Sequence, residues 1–84
     1  MQDNFSHIFA DDFLRMEVAL DVISSMKGDC IIELSTANPD EERREEIEAL
    51  LAVYNHECNL IYSGDKDAQN EVIKKYSPIL KAKR

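Results

Sequence analysis

The 84-residue chain is 44% hydrophobic and 32% charged, holds two glycines, two prolines and no tryptophan, and carries a formal net charge of −7. That length holds one domain (1–84) with one modest core, the apolar fraction excludes wholesale disorder, and so few turn-forming residues exclude a many-stranded β fold. No run approaches the ~18 apolar residues of a membrane span, the opening MQDNFSHIF lacks the features of a signal peptide, and two cysteines are too few for a disulfide scaffold, so the expected location is cytoplasmic.

Residues 1–4 are polar and expected to fray, as are 81–84. From about Ser6 to Lys27, Phe9, Phe13, Met16, Leu20 and Ile23 recur at alternating spacings of four and three, which predicts a first amphipathic helix over about 6–27. Leu14, Val18 and Val22 form a second stripe at i, i+4 and i+8, roughly opposite the first. A helix apolar on two faces has two neighbours. The second stripe is either covered by another helix of the same chain or is a dimer or partner surface.

Gly28 and Asp29 interrupt this pattern, and Cys30 to Leu34 is short and apolar enough for a strand. No second convincing strand exists to pair with it. Residues 29–36 are therefore read as helical, either continuing the first helix across a bend, to about 36, or forming a separate two-turn piece.

The stretch Asn38 to Gly64 reads as a second helix, over about 39–63, with both ends marked. Asn38 is a good N-cap, Pro39 suits the first helical position, and Glu41 can complete a capping box. Ile47, Leu51, Tyr54, Cys58 and Ile61 draw one apolar stripe, which Leu50 widens. Gly64 can end the helix in a left-handed conformation. Asp65 can cap a third helix over about 66–77, with Ala68, Val72, Ile73 and Tyr76 inward. Pro78 should end or kink it at Ser77, leaving Ile79 and Leu80 to fold back as an apolar clip. The predicted fold is all-α: an antiparallel helical hairpin with a shorter third helix, packed as a small bundle.

Charge is unevenly distributed. Residues 1–73 hold all 17 acids and five bases, a balance of −12, while the last eleven residues carry +5. Asp40, Glu41, Glu42, Glu45, Glu46 and Glu48 cluster at the start of the second helix, with Arg43 and Arg44 among them. Pairs from Asp40 to Arg44 and from Arg44 to Glu48 have helical i, i+4 spacing, each worth only a few tenths of a kcal/mol. Such a field either keeps a helix face solvated or orients a basic partner. The body should repel nucleic acid, and no helix carries the basic residues of a recognition helix.

Residues suited to chemistry do not form a set. His56, Glu57 and Cys58 are adjacent on a helix, so they point about 100° apart, and the zinc-protease spacing would need a second histidine where Leu60 stands. Cys30 could approach Cys58, but a metal site would still lack ligands. His7 and Asp11, at i and i+4, are read as a surface hydrogen bond. There is no phosphate-binding glycine loop and no oriented nucleophile. No catalytic residue, metal or cofactor is expected.

The expected function is therefore that of a small acidic binding module. It would act stoichiometrically as an inhibitor or neutraliser of a partner protein, of antitoxin, immunity or anti-defence type, with the acidic face toward a basic surface. The alternative is a dimeric or heterodimeric helical-hairpin adaptor or chaperone pairing through Leu14, Val18 and Val22. A small transcriptional regulator using the basic tail is a third reading.

Overall fold

The computed structural model describes residues 3–83, with side chains from Asp12 onward. Among these residues lie three helices and no strand: α1 (Asp3–Thr36), α2 (Glu41–Tyr62) and α3 (Lys66–Lys83). They form an elongated bundle, 58 × 26 × 18 Å, in which each helix packs on both others. At 1.5 Å per residue, α1 alone runs about 51 Å. No described helix is long and apolar enough to cross a membrane.

The hairpin of α1 and α2 is as expected, but α1 is one uninterrupted helix through Gly28. A helical glycine costs about 1 kcal/mol relative to alanine. Cys30 is buried in the core and Leu34 packs against it, which offsets that cost. In the last turn of α1, the Ser35 hydroxyl donates to the Ile31 carbonyl at 2.9 Å and the Thr36 hydroxyl to the Ile32 carbonyl at 2.7 Å. Both are back-bonds to the carbonyl four residues earlier, which the helix ladder already pairs, and they hold the two hydroxyls against the last turn.

The connection to α2 corrects one reading. Asn38 is not the N-cap; its backbone is left-handed, with φ 45°, and it turns the chain just after Ala37, whose N–H still bonds the Glu33 carbonyl. Asparagine tolerates that conformation better than most side chains. Asp40 is the cap, its carboxylate accepting the Arg43 N–H at 2.9 Å. A capping box at Glu41 therefore does not form, although Glu41 and Glu42 still occupy the first turn.

Between α2 and α3 the expected turn is present in full. Gly64 has φ 89°, its N–H bonds the Ile61 carbonyl at 3.1 Å, and the Asp65 N–H bonds the Leu60 carbonyl at 3.2 Å. This paired arrangement closes a helix C-terminus. Asp65 then caps α3 through the Ala68 N–H at 3.0 Å. Gln69, which the sequence pattern did not single out, is buried and donates from Nε2 to the Ile61 carbonyl at 3.2 Å.

Nor does α3 end at Pro78: it runs on to Lys83. Proline removes one N–H, that aimed at the Lys74 carbonyl, but Lys74 is exposed and water can serve in its place. Leu80 packs on the core and Lys83 Nζ reaches Asp29 Oδ2 at 2.8 Å, both within the helical extension. The apolar clip is thus replaced by one and a half further turns of helix.

Core side chains come from all three helices: Ala19, Val22, Ile23, Met26 and Cys30; Ile47, Tyr54 and Ile61; Val72 and Tyr76. The α2 and α3 stripes match expectation, with Leu51, Cys58 and Ile73 at the margin, whereas Leu50 is exposed. On α1 the buried face is rotated from the predicted one. Phe13 is 61% exposed, Met16 and Leu20 are marginal, and Ala19 is fully buried. The buried face is thus centred on Ala19, Ile23, Met26 and Cys30, with Phe13 outside it. The Phe9 side chain lies outside the described residues.

Candidate protein-binding surfaces

At the start of α2 the side-chain assignments follow from the cap. With Asp40 bonded to the Arg43 N–H, the Arg43 side chain turns toward α1, where Nε and Nη2 contact Glu33 Oε2 and Oε1 at 2.7 and 2.8 Å. Its third contact is Nη1 to Glu46 Oε1 at 3.2 Å. Hydrogen bonding to the guanidinium holds the Glu33 carboxyl below the usual carboxylate range.

The six predicted acidic residues, Asp40, Glu41, Glu42, Glu45, Glu46 and Glu48, are all exposed at one end of the bundle, but they divide in two. Asp40 caps the helix and Glu46 pairs with Arg43. Glu41, Glu42, Glu45 and Glu48 have no ion-pair partner among the described residues. The expected pairs from Asp40 to Arg44 and from Arg44 to Glu48 are absent from these residues, because Asp40 faces the helix N-terminus and Arg43, not Arg44, is the bridging base.

The second predicted surface also divides. Val22 is 8% exposed and belongs to the core, whereas Leu14 is 55% and Val18 45% exposed. Helix α3 covers the stripe only at Val22, so as a candidate surface it is confined to Leu14 and Val18. Those two residues lead into an open groove between α1 and α3, about 600 Å³ in volume, lined by Val18, Asp21, Val22, Ser77, Leu80 and Lys81 among others.

Basic residues of α3 are less available than their sequence density implies. Lys66 pairs with Asp12 at 3.4 Å, Lys75 with Glu57 at 2.9 Å and Lys83 with Asp29 at 2.8 Å. Lys74 and Lys81 are exposed without an ion-pair partner among the described residues.

Glu57 is the acid of the His56-Glu57-Cys58 run, and its role is internal. Its carboxylate accepts the Tyr76 hydroxyl at 2.7 Å and the Lys75 ammonium at 2.9 Å. Tyr76 meets the Tyr54 ring edge to face, with centroids 5.4 Å apart. Burial, then the hydrogen bond to Glu57, pushes the Tyr76 hydroxyl up to about 12. His56 is exposed, and Cys30 and Cys58 are free thiols, buried and half-buried; burial raises the Cys30 thiol above its ordinary range. Among the described residues no three of His, Cys, Asp or Glu converge as metal ligands. His7 and Asp11 have side chains outside the described residues.

No protein-family model matches the chain, and neither a curated protein nor a solved structure matches it.

Proposed function

We propose that the protein is an acidic helical binding module that acts by occupying a partner protein with a basic surface, as a stoichiometric inhibitor or neutraliser. The observation that carries this reading is the end of the bundle at the start of α2. There Glu41, Glu42, Glu45 and Glu48 are exposed without internal ion pairs, while Arg43 is held by Glu33 and Glu46. Arg43 therefore secures the hairpin and does not neutralise the four free carboxylates. They sit in the first turns of a rigid helix, a fixed patch and not a floppy acidic tail. Such a patch raises association rate and sets orientation more than it raises affinity.

The test is capture from host extract by the immobilised protein, at low and high salt, beside a variant carrying Glu→Gln at positions 41, 42, 45 and 48. A partner held at low salt, released by salt and lost with the variant is the expected result. A partner retained equally by both proteins at high salt would overturn the proposal.

A second reading, a dimeric helical adaptor, is favoured by the exposure of Leu14 and Val18 beside the α1–α3 groove.

A further inference from the structure

The seam between the end of α2 and the start of α3 holds an open cleft of about 350 Å³. Its floor is apolar, with Leu60 from α2 and Ala68 and Val72 from α3. Its rim is wholly acidic, with Glu57, Asp65, Asp67 and Glu71, and no basic residue lines it. Ala68 and Val72 stand one helical turn apart, and so do Asp67 and Glu71 beside them. Leu60 lies in the last turn of α2 and Ala68 in the first turn of α3. The partial charges of those two helix ends are opposite and offset each other, so the side chains set the sign of the cleft.

The rim carboxylates are not equally free. Glu57 is committed to the Tyr76 hydroxyl and the Lys75 ammonium. Lys75 has the i, i+4 spacing to pair with Glu71, but Glu57 takes it at 2.9 Å. One oxygen of Asp65 accepts the Ala68 N–H at 3.0 Å, which leaves its charge unmet. Asp67 and Glu71 are exposed and have no ion-pair partner among the described residues.

We propose that this cleft takes an arginine side chain from a basic segment of the partner protein. The aliphatic stem covers Leu60 and Ala68, and the guanidinium lies at the rim between Asp67 and Glu71. Arginine suits such a place because its stem packs on apolar surface while its head, more weakly hydrated than an ammonium, presents several donors to carboxylates. A bound metal ion fits less well: it would leave the floor uncovered, and no three acidic groups converge as ligands among the described residues. The assignment rests on the reading of the protein as a binder of a basic partner and adds a second contact to it. Leu60 lies about 22 Å along α2 from Glu45, beyond the ~8 Å screening length at physiological salt, so the two contacts can be tested apart.

Nuclear magnetic resonance of the isotope-labelled protein, titrated with N-acetyl-arginine methylamide, tests this. Saturable shifts should centre on the amides of Leu60, Ala68, Glu71 and Val72. The uncharged citrulline analogue, which keeps the stem, and guanidinium ion, which lacks it, should each bind at least fivefold more weakly. Asp67→Asn combined with Glu71→Gln, both at exposed positions, should weaken arginine binding at least fivefold with unchanged helicity by circular dichroism. The Glu→Gln variant at 41, 42, 45 and 48 should bind it as the wild type does, so failure here is separable from failure of the proposed function. Shifts absent from the cleft, equal binding of either analogue, or undiminished binding by the Asp67/Glu71 variant would each overturn the proposal.

Discussion

Arg43 grips both carboxylate oxygens of Glu33, at 2.7 and 2.8 Å, across the connection between α1 and α2. The planar guanidinium matches a carboxylate in this two-point geometry, which a lysine ammonium cannot reproduce. Arg43→Lys and Glu33→Gln should therefore both lower the melting temperature, with the double variant little worse than either single. Glu33 is held below its ordinary pKa in the folded state. Its contribution is present above the unfolded pKa and is lost as pH falls through the folded value. The stability difference between wild type and Glu33→Gln should shrink as pH is lowered into and below the carboxylate range. An unchanged difference at acid pH would show that the fork does not hold the connection.

Tyr76 gives the opposite pH dependence. Its hydroxyl, donating to Glu57 at 2.7 Å, is pushed up to about 12, above the ~10 of an unfolded tyrosine. The folded state holds that proton more tightly, so the contribution is full below the unfolded pKa and is lost as pH rises through about 12. Ultraviolet titration should show one tyrosine ionising around that value, missing from Tyr76→Phe. The same substitution should cost about 1 kcal/mol at neutral pH, the usual net worth of one hydrogen bond.

Ile23 and Phe13 separate the core from the surface of α1. Ile23→Ala removes a fully buried side chain and should cost roughly 2–5 kcal/mol in urea unfolding. Phe13→Ala, at a position 61% exposed, should stay within about 0.5 kcal/mol. The reverse order would restore the stripe that periodicity alone predicts.

That stripe shows where the sequence is legible and where it is not. In α2 apolar residues occupy one face, so Ile47, Tyr54 and Ile61 can be recognised as core from spacing alone. In α1 they occupy several faces, and Phe13, Leu14, Val18, Ile31 and Ile32 are all exposed. Periodicity then cannot choose the buried direction. The buried face includes Ala19, a residue that carries almost no hydrophobic signal. The N-cap lies two residues beyond the position that the sequence pattern predicts: Asp40 takes it, and Asn38 instead supplies the left-handed turn out of α1. Among the acidic residues, composition located the cluster, but only side-chain geometry separates Asp40 and Glu46 from the four unpaired glutamates.

Pro78 and Gly28 both lie inside helices that run past them. Pro78→Ala returns an N–H to the Lys74 carbonyl and should stabilise the protein by about 1–3 kcal/mol. Nothing lies within 4 Å of a Cβ added at Gly28, so Gly28→Ala should add about 1 kcal/mol. Thermal unfolding of the two variants measures both. A loss of stability at Pro78→Ala would mean that the chain does need a break there.

The unpaired glutamates at the start of α2 are proposed to steer a basic partner. Stopped-flow association of the protein with its purified partner across a range of ionic strengths measures that steering. The association rate should fall steeply with salt, and a Glu→Gln variant at 41, 42, 45 and 48 should associate at least tenfold more slowly at low salt and nearly independently of salt. Equal rates and equal salt dependence for the two proteins would contradict it.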